Sequence, residues 1–285
     1  MLTALSLRKL AVLLIVALIG TGCSGLTFVY GLAETALASE AKDHLDLDED
    51  GEAFVDQKIE ALLEWHSAEM LPQYARFMNA QADAVDRGAL DRAAIDEAVV
   101  AMREILEALV SGASRYTADV LVNHTEPDKV RHLKEQMAEH QAERREELDE
   151  PPEEQLEARI ERIVDNFERF TGLLTETQIV AVSRYAEASL GDTEVWLRNR
   201  ANRQRVFTDF LAQEPSKQEI SAFVYKIILR PHEIVDPGYK AVSEGRWRRF
   251  QELLYGVMTT LSDEQRKTMS TTLRGYAAEM LELAS

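Results

Sequence analysis

The chain has 285 residues, of which 50 are acidic and 32 basic, for a formal charge of −18 at pH 7. So negative a surface excludes nucleic acid as a partner and disfavours broad adsorption to anionic lipid, since both are repelled. A single cysteine excludes an internal disulfide, so stability must come from a packed core.

The first element is a leader. Arg8 and Lys9 precede an unbroken apolar run from Leu10 to Ile19, followed by Gly20, Thr21, Gly22 and Cys23. That run is shorter than the roughly 20 residues a spanning helix needs, and it fits the apolar region of a secretory signal. The Gly20–Cys23 stretch resembles the bacterial lipobox, with Gly20 where that pattern has leucine. The resemblance implies that Cys23 becomes the lipidated first residue of the mature chain. Ser24 stands where the lipoprotein class uses aspartate for inner-membrane retention. The resemblance therefore implies the periplasmic face of the outer membrane. The plainer alternative is an ordinary secretory signal with an incidental cysteine. Lipidation agrees with the cysteine count, because a thioether removes a lone thiol from an oxidising compartment, and several acyl chains anchor stably where one does not. Removing the leader takes away Arg8 and Lys9 but no acid, which leaves the body more acidic still. The expected division is a signal peptide over 1–22, an anchor and stem over 23–45, and helical halves over 46–150 and 151–285. One continuous domain over 46–285 is the alternative.

Beyond the stem, the composition reads as helix nearly throughout. Only 13 Gly and 7 Pro interrupt a chain rich in Ala, Glu, Leu and Arg. The expected fold is all-α, a multi-helix bundle or extended helical array of roughly eight to ten helices. The first helix start lies in "DLDEDGEAFVDQ", Asp46 to Gln57. Asp46, Asp48, Asp50 and Gly51 match the first half of an EF-hand loop, but the last ligand position needs a bidentate Glu and holds Gln57. The preferred reading is that Asp48 N-caps a helix carrying Val55, Ile59, Leu62 and His66. Calcium held by Asp46, Asp48 and Asp50 is the alternative. Otherwise no metal or cofactor is expected. Ile95, Val99, Met102, Leu106 and Leu109 form the next stripe, with Gly112 expected to close it. The polar run before Pro151 and Pro152 predicts a helix end near Asp149 and a new start just after the prolines, either a hinge between halves or an exposed corner.

Two near-copies follow, "LLTETQ" at Leu173–Gln178 and "TLSDEQ" at Thr260–Gln265. Each reads as a capping box, in which Thr175 or Ser262 accepts from the first-turn amides and Gln178 or Gln265 reaches back to the cap. Stripes Ile179–Val182–Tyr185–Ala186 and Met269–Leu273–Tyr276–Met280 extend from them. These starts resemble the Leu-Thr-x-x-Gln motifs of small all-α periplasmic chaperones of the envelope stress response. Along the whole chain the lipobox, the "LTFVYGLAETAL" stem, the "DLD" start, "LLEWHSAEMLPQYARF" and the later starts resemble an uncharacterised family of proteobacterial lipoproteins. That resemblance implies an envelope compartment and a helical fold, and no activity.

The remaining features concern chemistry. None of the six histidines has the four-residue spacing of a helical zinc site, and His66 reads as a hydrogen-bonded core residue. In "VWLRNRANRQRVFTDF", helical spacing places Arg200 and Arg203 on the face of Trp196, Phe207, Phe210 and Leu211, with Arg198 and Arg205 opposite. Carboxylates within the protein would make this pair structural. A ligand carboxylate would make it an anion or partner-recognition groove, to which "GRWRRF" at Gly245–Phe250 would contribute. The expectation is a non-catalytic binding or chaperone-like factor with a periplasmic protein client. The rival is a cell-wall or lipid-modifying enzyme.

Overall fold

In the computed structural model, residues 25–146 and 151–285 are described. Cys23, the leader and the predicted helix end near Asp149 lie outside them. In chain order the helices are α1 (Gly25–His44), α2 (Glu49–Trp65), a π-turn (His66–Met70), α3 (Leu71–Asp86), α4 (Arg92–Leu121), α5 (Pro127–Glu146), α6 (Pro152–Thr171), α7 (Glu176–Ala188), α8 (Asp192–Leu211), α9 (Lys217–Leu229), the single turn α10 (Pro231–Ile234), α11 (Tyr239–Met258) and α12 (Asp263–Leu283). The segment from α2 through the π-turn to α3 runs without a break, which makes eleven helices and no strand among the described residues. The all-α expectation of roughly eight to ten helices is met, with one helix more.

The starts are legible in residue chemistry. Asp48, Asp91, Thr175, Ser216 and Ser262 are extended N-caps whose side chains accept a first-turn amide. Pro152 opens α6 at a position where a missing N–H costs nothing. Gly172 ends α6 at φ 73°, a conformation that side-chain-bearing residues rarely adopt.

Among the described residues the helices share four core clusters, two of which draw on both sides of the Pro151–Pro152 seam. Met70, Leu71, Tyr74 and Ala75 meet Leu109 of α4 and Ala277 and Met280 of α12. Leu45, Ala118, Leu121, Val130 and Leu133 meet Leu211, Ile220 and Val224. Val182 of α7 packs on Leu253 and Val257 of α11 beside Leu174 and Leu261. A last cluster joins Leu37 of α1 to Val55, Ile59 and Leu63 of α2, so the stripe turns through Leu63 rather than Leu62.

One expected stop is wrong. Gly112 lies inside α4, which continues to Leu121. The glycine is there for packing: a Cβ would fall 1.9 Å from Cζ2 of Trp65, so only hydrogen lets that ring lie on α4. Gly256 plays the same part between α11 and α7, where a Cβ would come within 2.9 Å of Ala181. Gly112→Ala should therefore destabilise by about 1–3 kcal/mol through overpacking, although alanine is favoured in a helix by about 1 kcal/mol. Gly275→Ala in α12, where a Cβ meets nothing within 4 Å, should stabilise. Denaturant unfolding of both variants checks the contrast, and equal shifts would refute it.

Candidate functional site

The Asp46–Gln57 stretch is a helix start. Asp48 accepts from the Gly51 amide at 2.8 Å, and Glu49, Asp50 and Glu52 fill the first turn of α2, where the helix dipole favours negative charge. A Cβ on Gly51 would sit 3.0 Å from Asp48 Oδ1, so the glycine leaves the cap room. Asp46, Asp48 and Asp50 are exposed. Among the described residues, no three His, Cys, Asp or Glu side chains converge to hold a metal ion.

The two Leu-Thr/Ser-x-x-Gln motifs meet in space. Both are complete capping boxes, with Thr175 N donating to Gln178 Oε1 at 2.8 Å and Ser262 N donating to Gln265 Oε1 at 3.0 Å. The two side-chain amides then bond each other: Gln178 Nε2 donates to Gln265 Oε1 at 3.0 Å, and Gln265 Nε2 donates to Gln178 Oε1 at 2.9 Å. The second proton of each amide goes to the residue before the other motif's leucine, Thr260 O at 3.3 Å and Leu173 O at 2.9 Å. Every bond of one motif thus has its counterpart in the other, the pattern of a local two-fold. The flanking helices follow it, α6 packing on α12 and α11 on α7. Gln178 is fully buried and Gln265 nearly so.

The second buried polar centre is His66, the first residue of the π-turn. Pro72 has no N–H for the carbonyl of Ala68, and the chain closes instead with the Leu71 amide on the His66 carbonyl. His66 is 1% exposed. Its Nδ1 makes a short hydrogen bond with the Tyr30 hydroxyl of α1, and its Nε2 lies 3.1 Å from the Tyr74 hydroxyl of α3. Burial drives its pKa from 6.5 down to about 4 and raises both phenols. A neutral imidazole offers one donor and one acceptor, so one tyrosine donates and the other accepts. The group ties α1 to α3.

The arginines divide as helical spacing predicts. Arg198 and Arg205 are exposed, and Arg200 and Arg203 are half-buried. The Arg200 guanidinium carbon lies 5.7 Å from the centre of the Trp196 ring, and both inward arginines engage further groups. Phe210 stacks on Phe223 of α9 with centroids 3.9 Å apart. "GRWRRF" goes elsewhere, to the first turn of α8. Arg246 donates to the Asp192 carbonyl at 2.6 Å and the Tyr239 hydroxyl at 2.8 Å, and Arg249 pairs with the Asp192 carboxylate. Arg159 of α6 closes the cluster on Ser189 and Thr193. Burial, then the neighbouring charge of Arg162, lowers its pKa.

One feature was not anticipated from the sequence, an open groove of about 370 Å³ between α5 and α8. Its signal was present in the spacing of Lys134, Ala138, Gln141, Ala142 and Arg145, which share one face of α5. In a helix with almost no apolar stripe, such spacing does not stand out from an ordinary solvated face.

The chain matches DUF6279, a family of unknown function, over residues 43–240, and belongs to it. The matched span takes in the first Gln-capped start but ends before the second. No curated protein and no solved structure matches the chain.

Two outcomes follow from this geometry. Gln178→Leu should lower stability by about 1–3 kcal/mol by stranding the Gln265 amide. The double variant with Gln265→Leu should cost less than the two singles added, whereas strict additivity in a double-mutant cycle would dissolve the pairing. The His66 contribution should be whole above pH 6.5, where folded and unfolded imidazoles are both neutral. It should fall by about 3 kcal/mol as pH drops to 4, because only the unfolded state gains a proton over that range. Subtracting the pH profile of His66→Gln from that of the unaltered chain isolates this slope.

Proposed function

We propose that the chain is a lipid-anchored protein of the bacterial envelope. It is held at the periplasmic face of the outer membrane by acylated Cys23 and acts there as a non-catalytic, chaperone-like binding factor. The observation that carries the reading is the leader: Arg8 and Lys9, the apolar run Leu10–Ile19, then small residues and the sole cysteine. The body supports it. Among the described residues no helix is long and apolar enough to cross a membrane, so a tether at Cys23 would be the attachment. The negative surface keeps such a body off anionic lipid. The rival enzyme reading would gain from His66 opening with convergent acids into a deep cleft. His66 is buried and hydrogen-bonded to two phenols, which serves packing better than proton transfer.

Cys23→Ala should release the protein from the membrane fraction, and the unaltered chain should carry a mass increment of acyl groups on Cys23. Retention of the variant in outer membranes after a high-salt wash would defeat the anchor.

A further inference from the structure

The groove between α5 and α8 combines three demands. Met137, Ala138 and Ala142 of α5 and Ala201 of α8 give it an apolar floor. Lys134 and Arg145 of α5 and Arg205 of α8 are its charged lining, and among the described residues no Asp or Glu lines it. That is a local reversal in a chain where acids outnumber bases 50 to 32. Arg205 is shared with Asp209 at 3.3 Å, while Lys134 and Arg145 stand exposed. The third demand comes from Gln141, which is 9% exposed and also lines the groove. Its Nε2 donates to the Leu197 carbonyl at 3.3 Å, but its Oε1 meets no donor. A buried acceptor left without a donor is costly, and a ligand that brings one recovers the loss.

Each candidate ligand can be held against these demands. An inorganic anion answers the cations and leaves the floor bare. A fatty-acid anion answers cations and floor but brings no donor to Gln141. An acidic peptide segment answers all three. Its carboxylates face Lys134 and Arg145 and compete with Asp209 for Arg205, its small apolar side chains lie on the alanines, and a backbone N–H meets Gln141 Oε1 once that side chain, whose oxygen is closed over in the free groove, turns outward. The groove's size, at the low end of the range for ligand sites of about 300–1,000 Å³, suits a short stretch of chain. We propose that this groove binds an acidic, alanine- or leucine-bearing peptide segment of a partner protein. The proposal rests on the binding-factor reading and names the chemistry of its client.

The test uses the purified full chain and fluorescence anisotropy with a short peptide that alternates Asp or Glu with Ala or Leu. Saturable binding is expected, at least about tenfold weaker for the Asn/Gln counterpart and absent for the Lys counterpart, with a steep loss in salt. Lys134→Glu with Arg145→Glu should abolish binding, and Gln141→Leu should weaken it severalfold. Lys267→Glu, at an exposed position on α12, should change nothing. Thermal melts establish that each variant is folded, and the milder pair Lys134→Gln with Arg145→Gln replaces any that is not. Absence of saturable binding, or equal binding by the charge-reversed variant, would overturn the proposal. So would groove-dependent binding of dodecanoate without binding of the peptide, which would make the occupant an anionic amphiphile. Because this binding is read in solution, its failure is separable from a failure of the Cys23 anchor, which is read by fractionation.

Discussion

A buried amide must find partners for two protons and two lone pairs, or it destabilises whatever surrounds it. Gln178 and Gln265 meet that requirement only through each other. Each uses one lone pair on its own helix cap and one on its partner, and one proton on the partner and one on the loop before the partner's motif. The caps fix where α7 and α12 begin, and the crossed amide pair fixes those beginnings side by side. The cluster of Leu174, Val182, Leu253, Val257 and Leu261 is built directly on this junction, both motif leucines included. A two-residue pairing thereby sets the arrangement of α6, α7, α11 and α12.

Sequence showed each half of this device and not the whole. The boxes are local, spanning four residues, and local chemistry is what a sequence displays. That the two glutamines face each other is a contact across 87 residues, and no spacing rule reports it. The surplus was visible, however. A capping box needs only the glutamine oxygen, so two glutamines, each with an amide group still to satisfy, stood on starts followed by apolar stripes. The same limit explains Gly112. A glycine after an apolar stripe is a normal stop, and only the ring of Trp65, 47 positions earlier, turns it into a packing residue inside a longer helix. His66 was legible as a core histidine from its place on the Val55–Ile59 stripe. Its partners were not, because one lies on another helix and the other is reached through a π-turn.

That π-turn shows how one local defect serves the tertiary structure. Pro72 would break a regular helix by leaving the Ala68 carbonyl without its amide. Widening one turn keeps the rod continuous, so that α2 can pack on α1 and α4 while α3 packs along α12. Met70, the last residue of the turn, is 1% exposed at the centre of the α3–α12 core, so the irregular turn is itself a packed element.

The same economy governs charge. A chain with this excess of acid can place each cation against a carboxylate, and much of its arginine is used in that way. Arg246 and Arg249 converge on Asp192, and Arg274 joins α12 to Asp83 and Asp86 of α3. Such pairs contribute little stability when exposed, but they fix which helix faces which. Against that background, a described lining of three cations, of which only Arg205 meets a carboxylate, is the exception. It lies where α5 offers Ala138 and Ala142 and α8 offers Ala201, small side chains that leave space between two helices instead of filling it. A helix pair selected only for stability would close that space with leucine and pair its charges. Small residues, two cations without a carboxylate and an amide oxygen without a donor make the groove between α5 and α8 the part of the described structure least accounted for by folding alone.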